Sequence, residues 1–443
     1  MKVGIIGSTH AGVFAAKSIK GEHPDYDVTV FEKNDTVSFL SCGIALWVGN
    51  NVNDPQNMFY ESPESLVQQG IDMKMRHEVT VADLATKTLT YKNVISGEET
   101  TEQFDKLVVA TGSAAVIPDL PGLDSDKVYY AKNWDDANRL KEIANDVKRV
   151  VVIGAGYIGA EIAEQFALSN KEVVLVDGAD RVLANNFTAE FTDRIEAKYQ
   201  EHGVRLELDQ FITGFEDTDN GIIVKTTKGE YEADIAVLGI GFRPNTTLFE
   251  GQVDMLKNGA IITDKYMESS VPGVFAAGDA STIFYNPTQA NDYIPLATNA
   301  VRQGLLVGKN IDGKNVAYMG TQSTSAVELF ETAMAATGLN PVTAAKRGIE
   351  VEQTVIEENY RAEFMLTNEK VLVGLTWDKQ SRKVLGAAFM SRHDITQAAN
   401  VVSLAIQAGM TVDELAFADF FFQPNFDQPV NYIGAVAMAA AAN

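Results

Sequence analysis

A strand, glycine turn, helix, strand and acid occur in that order twice in this chain, and this repeat restricts the possible folds more than any other feature. In the first copy Val3-Gly4-Ile5-Ile6-Gly7 enters the turn Gly7-Ser8-Thr9-His10-Ala11-Gly12, followed by a helical stretch over 11–19. In the second, Val150-Val151-Val152-Ile153-Gly154 enters Gly154-Ala155-Gly156-Tyr157-Ile158-Gly159, followed by a helical stretch over 160–168. Each helix leads to another apolar run, Val28-Thr29-Val30-Phe31 and Val173-Val174-Leu175-Val176, ending on Glu32 and Asp177 respectively. Short unbroken apolar runs are the mark of parallel strands buried on both faces. The repeat therefore predicts two βαβ units and an α/β chain.

Between the copies, Leu107-Val108-Val109-Ala110-Thr111-Gly112 reads as a further buried strand, and Pro118 and Pro121 mark an exit from the first unit. After the second copy, Ile235-Ala236-Val237-Leu238-Gly239-Ile240-Gly241 leaves that unit, and Val274-Phe275-Ala276-Ala277-Gly278-Asp279 is a short strand ending on an acid. From about Gly320 helices and alternating strands replace the βαβ pattern. The expected division is a split first domain over 1–114 and 243–318, a second over 115–242, and an α+β third over 319–443.

The second turn is a complete G-x-G-x-x-G. Its first glycine makes the bend, the second lets backbone approach a pyrophosphate, and the third lets helix pack on strand. The helix N-terminus adds amide donors and the positive end of its dipole. Asp177 accepts from both ribose hydroxyls and repels a 2′-phosphate, which favours NADH over NADPH, with Arg181 nearby acting the other way. The first turn has Thr9 where the second glycine belongs. Glu32 as ribose acceptor, the Ala110-Thr111-Gly112 turn and Gly278-Asp279 restore the expectation of a nucleotide there. Two such sites in one chain suggest a tightly held flavin reduced by a nicotinamide, and the arrangement resembles the two-dinucleotide flavoprotein reductases.

Composition removes other classes. Lys and Arg number 36 against 60 Asp and Glu, a formal charge of −24, which disfavours nucleic acid and anionic membranes as partners. No apolar run approaches the roughly 18 residues of a spanning helix, and the first residues read as a strand rather than a secretory leader. Neither His10 nor His23, His77, His202 or His393 has metal-ligand spacing to acids or cysteine, so no metal site is expected. The single cysteine, Cys42, forbids an intramolecular disulfide and fits a cytoplasmic setting.

Cys42 lies in Ser38-Phe39-Leu40-Ser41-Cys42-Gly43-Ile44-Ala45-Leu46-Trp47, which reads as a helix start whose dipole would favour the thiolate. A dithiol reductase of this build needs a second cysteine five positions on, where this chain has Trp47. That excludes dithiol exchange and leaves a thiol that can cycle through sulfenic acid.

With the His10 turn, the Cys42 segment, Gly154 to Gly159, Phe275-Ala276-Ala277-Gly278-Asp279 and Phe420-Phe421-Phe422-Gln423-Pro424, the chain resembles the NADH oxidase and NADH peroxidase family along its whole length. The resemblance implies two Rossmann-like domains, for FAD and NADH, and a C-terminal dimerisation domain giving a homodimer or a dimer of dimers. FAD would be held by Gly7, Ser8, Thr9, His10, Ala11 and Gly12, by Glu32, Lys33, Cys42 and Val79, and by Ala110, Thr111, Gly112 and Ser113. Lys132, Asp279 and the helix start Leu296-Ala297-Thr298 would complete its site. NADH would lie on Gly154, Gly156, Ile158, Gly159 and Asp177, with Tyr157 as a gate over the flavin and Gly241 near the nicotinamide. Cys42 would be the sulfenic acid centre, His10 its base or hydrogen-bond partner, and the run Phe420 to Phe422 would reach the partner's flavin.

The implied reaction takes two NADH and one O2 to two waters, with the Cys42 thiolate trapping the peroxide oxygen. The alternative is an NADH peroxidase acting on hydrogen peroxide. That branch has a Glu just after the turn, where this chain has Val13-Phe14, although Arg302 is retained. A coenzyme A disulfide reductase or a flavin-bound redox sensor fits less well.

Overall fold

The computed structural model describes residues 1–442, so the last residue of the 319–443 region lies outside the described residues. Both apolar repeats form centres of five-stranded parallel sheets. In the first, Lys2–Ile6 lies between Asp27–Glu32 and Lys106–Val109, with Ile71–Met75 and Val274–Ala276 at the edges. In the second, Arg149–Ile153 lies between Glu172–Val176 and Ile235–Leu238, with Arg205–Glu207 and Val128–Tyr130 at the edges. The central strands are buried on both faces, down to Val3, Ile5, Val151 and Val152, which explains why they read as unbroken apolar runs.

The helices that follow, His10–Glu22 and Tyr157–Leu168, begin earlier than the apolar pattern indicated, inside the glycine turns themselves. The helix Ala297–Asn310 packs along His10–Glu22, and Gly304 permits this: a Cβ there would stand 2.5 Å from the Ala11 carbonyl oxygen. A second echo was not visible in the sequence. Each parallel sheet has its own three-stranded antiparallel insertion, His77–Asp83 with Thr88–Asn93 and Glu99–Gln103, and Ile212–Thr218 with Gly221–Thr226 and Glu230–Ala233. The chain leaves the first sheet through Ser113–Ala115 and returns through Phe242–Pro244, and these two short strands pair antiparallel. No helix among the described residues is long and apolar enough to cross a membrane.

The C-terminal region is an antiparallel sheet in the order Ser325–Leu329, Thr332–Gly338, Val384–Ser391, Lys370–Asp378, Val351–Asn359. Thr396–Ala408 and Tyr432–Ala441 cover one face through Ala398, Val402, Ile433 and Val436. Its first hairpin turns on Phe330 and Glu331, both at positive φ although neither is glycine. A tight hairpin needs that geometry, and here tertiary contacts hold it. The buried Glu164 carboxylate, on the second nucleotide helix, accepts from the Phe330 N–H, while the Phe330 ring meets Tyr199 edge-on at 4.9 Å and stacks on His202 at 4.2 Å. Glu164→Ala should leave that N–H buried and unpaired and lower stability by about 1–3 kcal/mol in a urea or thermal unfolding measurement. A loss within experimental error would remove Glu164 from the contact between the two regions.

Candidate active site

The carboxyl ends of both parallel sheets open into one cleft of about 1370 Å³. Gly7 and Gly154 turn the chain there with φ of +101° and +104°, a region that L side chains avoid. The third glycine of each turn packs and does not line the cleft: a Cβ on Gly12 would stand 1.9 Å from the Gly7 carbonyl oxygen, and one on Gly159 would stand 1.7 Å from that of Gly154. Gly7, Ser8, Thr9, His10 and Ala11 do line it, as do Gly154, Gly156, Tyr157 and Ile158. No side chain caps either helix, so their first-turn amides are left for a ligand. Two uncapped N-termini in one cleft fit the pyrophosphates of two dinucleotides.

The two strand-end acids differ in what they have left to offer. Glu32 is buried and already accepts from the Ser8 N–H and hydroxyl and from the Asn34 N–H and amide, so sugar hydroxyls would have to compete for its oxygens. Asp177 accepts one backbone N–H on each oxygen, from Ala155 and Ala179, and keeps half its lone pairs for a ligand. Lys33, Val79, Ala110, Thr111 and Gly112 line the first half of the cleft, and Gly241 the second. The Thr111 hydroxyl is buried with no partner, as expected of a group that meets a bound molecule.

Lys132 joins this wall. Its ammonium donates to the Ser113 hydroxyl at 2.8 Å, Ser113 donates to Asp279 at 2.6 Å, and the ammonium stands 4.0 Å over the Phe242 ring. Of the expected helix start, only Ala297 reaches the cleft; Leu296 and Thr298 do not line it.

Cys42 and His10 both line the cleft. The expected helix start at Cys42 is corrected by the structure: Ser41–Gly43 is a single 3-10 turn, and the helix after it, Ile44–Val48, is only five residues long. Without a sustained helix dipole the thiolate gains little. Desolvation pushes the Cys42 thiol up, Glu161 and Asp279 add to this, and Lys132 opposes them. Cys42 is exposed, but into a cleft walled by protein rather than to open solvent. Burial lowers the pKa of His10, outweighing Asp279, and its Nδ1 lies 3.1 Å from the Tyr60 hydroxyl.

Trp47, in place of a second cysteine, stacks on Trp134 at 4.9 Å and 4°, and Trp134, which also packs on Phe39 and Phe59, lines the cleft with Phe39. Tyr157 is tethered through its hydroxyl to Ser325 at 2.9 Å. Phe420 packs on the C-terminal core, whereas Phe421 and Phe422 are exposed. Two residues escaped the reading of the sequence. Glu161, whose carboxyl burial pushes up to about 7, lies one helical turn after Tyr157, and that spacing was a usable signal. Tyr60 sits in no motif, and only the folded chain brings it to His10. Among the described residues no cluster suited to a metal ion occurs.

Two dinucleotide turns sharing one cleft with a lone thiol define an oxidoreductase of the two-nucleotide class. The chain belongs to the pyridine nucleotide-disulphide oxidoreductase family, whose model matches residues 1–304, and the family's dimerisation-domain model matches residues 324–432. It is 48% identical over 445 residues to an NADH oxidase of Enterococcus faecalis, covering 100% of both chains. The water-forming NADH oxidase from Lactobacillus brevis, solved bound to NADH, is similar with a TM-score of 0.99 and 51% identity over 100% of this chain and 98% of that one. An engineered NADPH oxidase made from that protein, solved with NADPH, has a TM-score of 0.99 and 50% identity over the same shares.

The raised thiol pKa has a direct consequence. At pH 7 Cys42 holds less thiolate than a free cysteine, so its alkylation by iodoacetamide in the anaerobically reduced protein should be slower. Its rate should rise with pH to a midpoint above the roughly 8.5 of a free thiol. A midpoint below that value would mean that the cleft stabilises the thiolate.

Proposed function

We propose that the protein is a FAD-dependent, water-forming NADH oxidase in which Cys42 removes the peroxide oxygen. The observation that carries this reading is the single thiol in the same cleft as two uncapped nucleotide turns, with Trp47 filling the place of a resolving cysteine. The likeness to a water-forming NADH oxidase along the full chain supports it. On this reading 1–114 with 243–318 hold FAD, 115–242 take NADH, and the region from 319 onward makes a homodimer in the cytoplasm.

FAD, when bound, accepts hydride from NADH and passes electron pairs to O2 and to oxidised sulfur. The first turn binds its pyrophosphate through amides freed by the missing cap, and Lys33, Lys132 and Asp279 supply charges around it. Gly154 to Ile158 bind the NADH pyrophosphate in the same way. Asp177 accepts the ribose hydroxyls and excludes a 2′-phosphate, and replacement of an aspartate by alanine among the five substitutions of the NADPH-bound relative agrees with that role.

The first NADH brings O2 to the level of hydrogen peroxide. Cys42 sulfur attacks one peroxide oxygen, the O–O bond breaks, the thiol proton goes to the departing oxygen, and one water leaves. The sulfenic acid then takes two electrons and two protons from the second NADH equivalent, which restores the thiol and releases the second water. The thiolate is the attacking form, so the proton that reaches the departing oxygen leaves sulfur before the S–O bond forms, and the raised pKa of Cys42 limits the fraction ready to attack.

Cys42→Ser should retain NADH oxidation while the product changes from water to hydrogen peroxide, so that oxygen reappears when catalase is added. Continued water formation by that variant would remove Cys42 from the reaction.

A further inference from the structure

Tyr60 lies outside both nucleotide turns, yet its ring runs parallel to the His10 imidazole, at 5.7 Å between centroids and 8° between planes. Its hydroxyl is 3.1 Å from His10 Nδ1. Phe14, one helical turn after His10, lies 5.7 Å from the same tyrosine ring at a 37° tilt. The backbone beside Tyr60 is clamped as well. The Glu61 N–H donates to the hydroxyl of the buried Ser38 and that hydroxyl donates back to the Glu61 carbonyl, both at 2.9 Å, while Lys17, on the His10 helix, pairs with the Glu61 carboxylate. The ring is thus fixed both to the helix that carries His10 and to the loop that carries Cys42.

A phenol is a donor with one proton to place. Desolvation and the neighbouring Glu61 carboxylate push the Tyr60 pKa well up, so the proton stays on oxygen. Among the described residues the partner of that hydroxyl is His10 Nδ1. A phenol can donate to Nδ1 or accept from it; donation leaves the imidazole proton on Nε2, the edge turned away from Tyr60. We propose that Tyr60 is a positioning residue that holds His10 as the neutral Nε2–H tautomer, making it a hydrogen-bond donor to the cleft that Cys42 lines. A ring in that state cannot take a proton at Nε2, so His10 does not serve as the base there. Its Nε2–H instead stabilises oxygen that departs from, or is bound to, the Cys42 sulfur. This consequence rests on the function proposed above; the tautomer does not. Burial keeps the ring neutral, and the charges that act on it are Asp279, which favours protonation, and Lys132, which opposes it.

The test is ring-15N histidine NMR of the holoenzyme. The chain has only five histidines, and comparison with His10→Gln assigns the signal. Expected is a His10 with protonated Nε2 and unprotonated, hydrogen-bonded Nδ1 at neutral pH. In Tyr60→Phe the two tautomers should mix, and the His10 titration midpoint should rise by about one pH unit, because the bond to the neutral ring is lost. Hydrogen peroxide released per NADH should rise in that variant. A wild-type His10 with its proton on Nδ1, or a doubly protonated ring, overturns the proposal without reference to any variant. So does a Tyr60→Phe protein with unaltered tautomer and midpoint. If the tautomer is as stated and peroxide release is unchanged in both Tyr60→Phe and His10→Gln, the role of His10 in the peroxide chemistry is overturned and its positioning by Tyr60 stands.

Discussion

Two helix N-termini with no side-chain cap, brought to opposite sides of one cleft, set the terms for the rest of the molecule. A side-chain cap stabilises a helix by about 1 kcal/mol, and neither nucleotide helix has one: Thr9 stands at the first N-cap without making the bond, and Gly156 at the second has no side chain to make it. What they gain is a row of amides free for phosphate. The close seating of Gly12 on Gly7 and Gly159 on Gly154 fixes each helix to its strand, so the amides stand in register with the acids that end the neighbouring strands. Glu32 and Asp177 then differ by how many of their oxygens' lone pairs the protein itself has used, and only Asp177 has acceptor capacity to spare.

The thiol chemistry is set by surroundings rather than by a local motif. Cys42 sits on a short 3-10 turn in the cleft with Lys132 and Asp279, and Glu161 acts on it from the second nucleotide helix, so desolvation and negative charge dominate. Burial and the neighbouring Glu164 push the Glu161 carboxyl up to about 7, and its charge is among the influences that raise the Cys42 thiol. Trp47, the residue five positions after Cys42, is held in a stack on Trp134, and with no other cysteine in the chain Cys42 is committed to chemistry without an intramolecular disulfide partner. His10, set by Tyr60, supplies a polar edge in an otherwise aromatic wall.

The parallel sheets and their glycine turns could be read from the sequence because strands buried on both faces leave unbroken apolar runs and the turns admit few residues. The C-terminal sheet was legible as alternating strands, but its Phe330 and Glu331 hairpin was not, since neither residue announces a positive φ. The antiparallel insertions in each sheet were missed because their half-exposed strands, such as Glu99–Gln103, contain few apolar residues. At the site, residues tied to a turn could be read from the sequence itself, Val79 and Lys132 came only with the family resemblance, and Tyr60 came with neither. Tyr60 reaches His10 across fifty positions, and no spacing rule records that. The one physical misreading, a thiolate-favouring helix at Cys42, came from taking an apolar run as a longer helix than the five residues that form.

The most direct measurement is NADH consumed per O2 consumed by the purified holoenzyme in an oxygen electrode, with catalase added when NADH is exhausted. Two NADH per O2 with no oxygen returned is the expected result. One NADH per O2 with half the oxygen returned, or NADH consumption that requires added hydrogen peroxide instead of O2, would contradict a water-forming oxidase centred on Cys42.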